Sequence, residues 1–232
     1  MLIGILKDVF KQLVSGSGKN DSKEFVDGAK LVISTAHVRK VLNVGGNTKN
    51  IPIPDAYQGW QHDLLDIDPR GNPDVVCDAR MMMQLPAAQY DAIYCSHNLE
   101  HYYRHDVLKV LAGFRHVLKD DGFVQIIVPD MAEVMKRMID RGLDIEDELY
   151  ISQSGPIRVS DVIYGYAVEI ERSGDEFYAH KTGFTEKSLV AQLKASGFST
   201  VIPAFGELEI MALAFKNGPI QYACDLFELY DK

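Results

Sequence analysis

Residues 40–47 read Lys-Val-Leu-Asn-Val-Gly-Gly-Asn, a short apolar run that leads directly into two glycines. An apolar run of this length, followed by turn residues, is typical of a strand buried in a parallel sheet. Ligands of open α/β sheets bind at the carboxyl ends of the strands, and glycine there lets a ligand approach the backbone. The stretch therefore predicts a first parallel strand with a ligand site at its end.

Beyond residue 40, apolar runs alternate with helical patterns, which predicts an α/β fold around a parallel sheet. The predicted strands are Lys40–Val44, Asp63–Ile67, Pro73–Cys77, Tyr90–Cys95, Phe123–Val128, Phe198–Ile202 and Glu207–Phe215. The predicted helices are Ser22–His37, Asn98–Leu118, Met131–Arg141 and Glu186–Ser196. Pro52 and Pro54 exclude a regular helix directly after the first strand, because each removes a backbone donor and disfavours helix in the preceding residue.

Composition limits the class of protein. With 232 residues, 47% of them hydrophobic, we expect one sizeable domain, and no apolar run approaches the roughly 18 residues of a membrane span. A net charge of −9 disfavours nucleic acid as a partner. The apolar residues 1–14 carry charges and lack a cleavage signal, and the three cysteines show no paired spacing. We therefore expect a soluble cytoplasmic protein of undetermined oligomeric state.

Two acidic residues follow the second and third predicted strands. Asp66 comes about twenty residues after the glycines, where a carboxylate can accept hydrogen bonds from both hydroxyls of a ribose. Asp78 precedes Ala79 after the third strand, and its carboxylate could accept from an adenine amino group. Taken singly, each is also a common turn residue at the end of a strand. Both should lie at the same edge of the sheet.

Two further segments carry a family resemblance. The fourth strand leads into Ser96-His97-Asn98-Leu99-Glu100-His101, and residues 117–123 resemble the turn Leu-Lys-Pro-Gly-Gly that precedes a fifth strand. With the segments above, residues 38 to 215 resemble the class I S-adenosylmethionine-dependent methyltransferases, in particular a small bacterial group with a Ser-His-Asn-hydrophobic-Glu-His segment. The resemblance implies a Rossmann-like α/β fold with S-adenosyl-L-methionine as cofactor. Its seven-stranded sheet would be mostly parallel, with helices on both faces and the last strand antiparallel.

The resemblance also assigns roles to residues. His97 is the candidate for contacting the acceptor or taking its proton, and no metal is expected. The implied cofactor-binding residues are Asn43, Gly45, Gly46, Asn47, Asp66, Ile67, Asp78, Ala79 and Ser96. The implied substrate-binding residues are Asn98, His101, Tyr164 and His180. Where the family has an acid and three alternating glycines, this chain has Asn43 and then Gly45-Gly46-Asn47.

The expected organisation has three parts. Residues 1–37 form N-terminal helices and a linker, residues 38–216 form the methyltransferase domain, and residues 217–232 form a C-terminal tail. Residues 143–185 fit neither helical nor strand periodicity and exceed an ordinary connection in length. We expect this insertion to form the substrate side of the site, although a purely structural role is an alternative.

The predicted function is methyl transfer to an unidentified small-molecule acceptor. Alternative functions remain open. A noncatalytic module that binds S-adenosylmethionine or a protein partner would explain the altered glycine motif. Residues 97–101 match the His-x-x-Glu-His pattern of zinc peptidases, whose two histidines can bind zinc from one helix face. Gly45 and Asp66 also have the separation found in nicotinamide dehydrogenases, but a third glycine is missing.

Overall fold

A seven-stranded mixed sheet forms the centre of the computed structural model, which describes residues 38–152, 155–227 and 229. The predicted helix Ser22–His37 and the expected N-terminal segment lie outside the described residues. The strands, in chain order, are β1 Lys40–Val44, β2 Gln61–Asp66, β3 Val75–Val76, β4 Tyr90–Ser96, β5 Leu118–Pro129, β8 Thr200–Phe205 and β9 Glu209–Phe215. A separate antiparallel hairpin consists of β6 Glu148–Ser152 and β7 Gly155–Arg158.

The order of strands across the sheet is β3-β2-β1-β4-β5-β9-β8. Strands β1 to β5 pair in parallel, whereas β9 runs antiparallel to both β5 and β8. The predicted fold class, a mostly parallel seven-stranded sheet whose last strand is antiparallel, is confirmed. All carboxyl ends of β1 to β5 therefore meet at one edge of the sheet, which we call the carboxyl edge.

Six α-helices are described: α1 Arg104–Val117, α2 Met131–Asp140, α3 Val159–Tyr164, α4 Ala167–Ser173, α5 Glu186–Ala195 and α6 Gln221–Leu226. Short 3-10 helices occur at Asp55–Tyr57, Pro69–Gly71, Ala79–Gln84, Leu99–His101 and Glu176–Tyr178. Within the described residues, Asp55–Tyr57 is the helical turn between β1 and β2, so the prediction that prolines exclude a regular helix there is confirmed.

The sheet is covered on both faces because successive side chains in a strand point to opposite sides. On one face, Ile93 and Val124 pack in a core that includes Phe114 of α1 and Leu189 of α5. On the other face, Phe123 belongs to a core that includes Tyr57 and Phe227, near α6. Each fully buried side chain of this size contributes about 1.5–3 kcal/mol. The predicted placement of helices on both faces is confirmed.

The predicted boundaries differ from the observed ones at several elements. Helix α1 begins at Arg104 and not at Asn98, because His97 has a left-handed φ of 48° and Tyr103 is extended. The chain passes through the 3-10 turn Leu99–His101 before the helix starts. Strand β5 begins at Leu118, five residues before the predicted start at Phe123, and an irregularity in its pairing with β4 accommodates the extra residues.

The segment 143–185 contains the β6–β7 hairpin, α3 and α4. Its small core joins Leu149 and Val159 to Val134 of α2. At its end the segment returns to the sheet, where the backbone N–H groups of Lys181 and Thr182 donate to the Glu100 carbonyl at 2.8 and 3.1 Å. This anchor holds the end of the segment over the carboxyl edge.

None of the described helices has both the length and the apolar character needed to cross a membrane.

Candidate functional site

The turn after β1 depends on two glycines. Gly45 has a φ of 75°, and its N–H donates to the Leu65 carbonyl at 2.9 Å. A Cβ atom at Gly45 would overlap the side chain of Asn98, and one at Gly46 would overlap the side chain of Asn43. Glycine is required here because other residues would both strain the backbone and displace these two amides. The turn thus lets Asn98 lie against the end of β1.

Asp66 is the last residue of β2 and is largely buried. Its carboxylate accepts hydrogen bonds from the backbone N–H of Asn47 at 2.8 Å and of Asp68 at 2.9 Å. These bonds order the turns that follow β1 and β2. A carboxylate has about four acceptor positions, so Asp66 retains capacity for a ligand.

Asp78 follows β3 and caps the 3-10 helix Ala79–Gln84. The Arg80 guanidinium donates to its carboxylate, with Nη2 at 2.6 Å from Oδ2, and this hydrogen bond holds the pKa of Asp78 below its usual range. The Arg80 side chain also reaches the carboxylate of Asp106 at 3.4 Å. Asp78 is therefore ionised at neutral pH, and Arg80 fixes the position of its carboxylate at the carboxyl edge.

His97 is held in a strained conformation between two carboxylates. Besides its left-handed backbone, its Nε2 lies 2.9 Å from Oε1 of Glu209 and its Nδ1 lies 3.5 Å from Oε1 of Glu100. Burial lowers the pKa of His97, but the neighbouring carboxylates of Glu100 and Glu209 outweigh this effect and raise the pKa to about 10. With these partners in place, the imidazole is cationic at neutral pH and is not ready to accept a proton.

Two cavities meet at His97. The first opens along the carboxyl edge and is lined by Gly45, Asp66, Asp78, Asn98 and His101, with Phe177, Tyr178 and Lys181 from segment 143–185. The second is lined mainly by that segment, through Tyr150, Ile157, Asp161, Val162, Tyr166 and His180, together with Glu209. His97 lines both cavities. It therefore forms part of the boundary between them.

Most predicted site residues are brought together. Asn47 and Ile67 also line the first cavity, so that cavity contains Gly45, Asn47, Asp66, Ile67 and Asp78 of the implied cofactor set. Asn98 and His101, which the resemblance assigned to the substrate, line the same first cavity, whereas His180 lines the second.

Five predicted residues do not line either cavity. Asn43 and Ala79 are buried, and Gly46 lies against Asn43. Ser96 is the final residue of β4. Tyr164 is 60% exposed at the end of α3.

Several residues of the site carried no signal in the sequence. Glu209 begins a strand that follows His97 by 112 positions, and nothing in their spacing links them. Phe177, Tyr178 and Lys181 come from a segment without clear periodicity. Arg80 could have been noticed as a cation two residues after Asp78, but its pairing depends on the local 3-10 turn.

Glu100 is a buried acid beside three histidines. Burial raises the pKa of Glu100, but the neighbouring His97, together with His101 and His180, more than offsets this and lowers it. Burial lowers the pKa of His101. Glu100, His101 and His180 each place one potential metal-ligand atom within 4.8 Å of the other two. The zinc pair suggested by the sequence was His97 and His101, but Nε2 of His97 contacts Glu209 instead.

Comparison with known proteins gives a family match within the domain. Residues 61–126 match the family described as a methyltransferase domain. This range contains Asp66, Asp78 and the segment from Ser96 to His101, but not the glycine turn after β1. No curated protein matches the chain.

Solved structures share the fold at low sequence identity. The citrinin polyketide synthase CMeT domain is 11% identical with a TM-score of 0.52, and the match covers 80% of this chain and 48% of that one. A protein from Pyrococcus horikoshii is 13% identical with a TM-score of 0.50, covering 78% and 84%. A SAM-dependent methyltransferase from Archaeoglobus fulgidus is 16% identical with a TM-score of 0.49, covering 77% and 86%.

Proposed function

We propose that this chain, in which residues 61–126 match a methyltransferase domain, is a class I S-adenosylmethionine-dependent methyltransferase that transfers a methyl group to a small-molecule acceptor bound in the second cavity. The observation that carries this proposal is the position of His97, which lines both cavities. A residue at such a boundary can contact the acceptor while the cofactor occupies the first cavity. Segment 143–185 would then form most of the acceptor side, within a domain spanning residues 38–216.

The first cavity has the donors and acceptors that the cofactor needs. Oδ1 of Asn98 is buried without a hydrogen-bond partner among the described residues, so a donor group of the cofactor would satisfy it. The carboxylate of Asp66 is available to ribose hydroxyls, and Asp78 lies on the same wall for the adenine amino group. The residues present therefore fit S-adenosyl-L-methionine.

The second cavity suits a small organic molecule. Ile157 and Val162 give it apolar surface, and Asp161, His180 and Glu209 give it hydrogen-bonding groups. Such a mixture is typical of sites for small ligands. Among the described residues that line it, none is lysine or arginine, whereas Glu207 adds a further carboxylate. This charge pattern disfavours a polyanion and agrees with the absence of nucleic acid from the expected partners.

The bound cofactor supplies an electrophilic methyl group on its sulfonium. The contribution of the protein is then mainly to hold the acceptor in line at near-attack distance. A general base adds about 10²–10⁴-fold when the acceptor carries a proton. His97 would position the acceptor from the boundary between the cavities, and Glu100 and Glu209 would hold its ring in place.

We also propose a reducing compartment, the cytoplasm, as the location. The sequence supports this location, since its three cysteines show no paired spacing.

The test is transfer of a labelled methyl group from S-adenosylmethionine into a metabolite extract, with binding of S-adenosylhomocysteine measured by calorimetry. Asp66→Ala should weaken binding about 10- to 100-fold, because loss of charge-assisted hydrogen bonds costs about 1.5–3 kcal/mol. Asp120→Ala is the matched control, since that carboxylate is 88% exposed near the start of β5, away from the carboxyl edge. A parent protein that binds neither compound would refute the proposal.

A further inference from the structure

A compact cluster at the boundary between the two cavities consists of Glu100, His101 and His180. Glu100 and His101 lie in the 3-10 turn after β4, and His180 comes from segment 143–185. The anchor from Lys181 and Thr182 to the Glu100 carbonyl ties the two parts of the chain together beside the cluster. The three potential ligand atoms lie within 4.8 Å of one another.

Glu100 itself indicates a bound cation. It is 1% exposed, its Oε2 has no hydrogen-bond partner among the described residues, and its Oε1 has only a long contact with the His97 ring. Nδ1 of His97 is 3.5 Å from one of these oxygens, and that imidazole also contacts Glu209. A buried carboxylate without full hydrogen bonding is costly, and buried charges are usually paired or bind metals. His97 satisfies this carboxylate only in part, so Glu100 has an oxygen left for a further ligand of positive charge.

In both histidines, one ring nitrogen is held by a backbone carbonyl. Nδ1 of His101 lies 3.2 Å from the Ala179 carbonyl, and Nδ1 of His180 lies 2.8 Å from the Val162 carbonyl. A carbonyl oxygen only accepts, so Nδ1 must be the protonated nitrogen in each ring. When the ring is neutral, Nε2 carries the lone pair that can bind a metal. Metal-binding histidines are characteristically held in this way, with the other ring N–H donating to a carbonyl or carboxylate.

We propose that Glu100, His101 and His180 bind one divalent transition-metal ion of the class that accepts imidazole and carboxylate, such as zinc, iron(II) or cobalt(II). Two histidines and one carboxylate are a recurrent ligand set for such ions. Metal–ligand bonds are about 2.0–2.2 Å long, so binding draws the three atoms closer together. A metal ion here would replace the sequence-based expectation of no metal. The proposed ligand set differs from the zinc peptidase pattern because His180 takes the place of His97.

The site would lie between the places proposed for cofactor and acceptor, because His101 lines the first cavity and His180 the second. An ion with three protein ligands has positions left for water or a ligand atom. Binding of the ion is a separate property from methyl transfer, and it can be measured without cofactor or acceptor.

The test uses the full chain, stripped of metal and titrated with Co²⁺, whose visible absorption reports its coordination, followed by competition with Zn²⁺. One equivalent should bind. His101→Ala and His180→Ala should each weaken Co²⁺ binding by at least about tenfold, and Glu100→Gln, which preserves size, should do the same. His105→Ala is the matched control, since that side chain is 73% exposed and outside the cluster.

Two results would overturn the proposal. One is absence of Co²⁺ and Zn²⁺ binding by a parent protein whose thermal unfolding shows that it is folded. The other is loss of binding in His97→Ala and His101→Ala with full binding in His180→Ala, which would assign the ion to the zinc peptidase pair. Neither result bears on S-adenosylhomocysteine binding, so failure of the metal site is distinguishable from failure of the proposed function.

Discussion

At the scale of single residues, Gly45 combines two constraints that can be separated experimentally. Its left-handed backbone costs a substituted residue about 1–2 kcal/mol, and a Cβ atom there also overlaps Asn98. Gly45→Ala should therefore lower the free energy of unfolding and weaken S-adenosylhomocysteine binding by at least about tenfold. Urea unfolding and calorimetry give the two quantities.

Gly142 supplies the matched control for this substitution. It has a φ of 62°, but a Cβ atom there would meet nothing within 4 Å. Gly142→Ala should show the backbone cost alone and leave binding unchanged. Adding Asn98→Ala to Gly45→Ala should recover the part of the stability loss that comes from overlap. Equal losses of stability in the two glycine variants would show that the contact with Asn98 is unimportant.

Single residues also show where sequence reasoning works. Asp66 and Asp78 could be placed in the site because Asp66 ends β2 and Asp78 comes two residues after β3, and parallel strands end at one edge. The partners of His97 could not be predicted in the same way. Glu209 reaches His97 only because β9 lies next to β5 in the sheet, a contact between distant parts of the chain.

At the scale of elements, the strands were predictable and segment 143–185 was not. The central strands are buried on both faces and read as continuous apolar runs. Helix α3 has six residues and helix α4 has seven, which is at most about two turns each. Neither is long enough for its apolar residues to show a recognisable helical pattern. Strand β7 has exposed residues alternating with half-buried ones and includes a proline, so its sequence does not indicate a strand.

Tyr164 and Tyr166 provide a test of what this segment does. Tyr166 lines the second cavity, whereas Tyr164 is exposed and lines neither cavity. Tyr166→Ala should reduce turnover of the acceptor by about tenfold or more while cofactor affinity stays within about threefold, because contacts made only with the acceptor affect its binding or orientation. Tyr164→Ala, two residues away, should have a smaller effect on turnover.

The measurement is methyl transfer with calorimetric binding of S-adenosylhomocysteine for both variants. Equal loss of cofactor affinity in both would mean that the segment supports the fold generally. A larger defect in Tyr164→Ala than in Tyr166→Ala would favour the assignment made from the sequence.

At the scale of the whole molecule, ion pairs along the carboxyl edge couple stability to pH. The hydrogen bond from Arg80 lowers the pKa of Asp78 below the value of about 3.9 expected in an unfolded chain. A depressed carboxyl pKa gives stabilisation that is present above about pH 4 and lost as the pH falls through the folded pKa. The contribution should be modest because the Arg80 side chain is 44% exposed.

Arg80→Gln should therefore lower the free energy of unfolding at pH 7, and its difference from the parent protein should shrink as the pH falls below about 4. Urea unfolding at several pH values measures this difference. The control is Arg172→Gln, which removes an exposed pair with Glu169 and should change stability little at any pH. A difference between parent and Arg80→Gln that stays constant with pH would contradict the pairing with Asp78.

The return of the chain after segment 143–185 has an evolutionary consequence. Asp130, directly after β5, forms a parallel bridge with Phe184, and Met131 N–H donates to the Phe184 carbonyl at 3.0 Å. The chain between Asp130 and Phe184, which contains α2 and most of segment 143–185, thus leaves and rejoins the sheet at almost the same point. Lengthening a loop whose ends are already closed costs little entropy, about 0.6 kcal/mol for each doubling. If this part of the chain forms the acceptor side, as proposed, its exchange can change the acceptor while the sheet and its glycine turn are inherited unchanged.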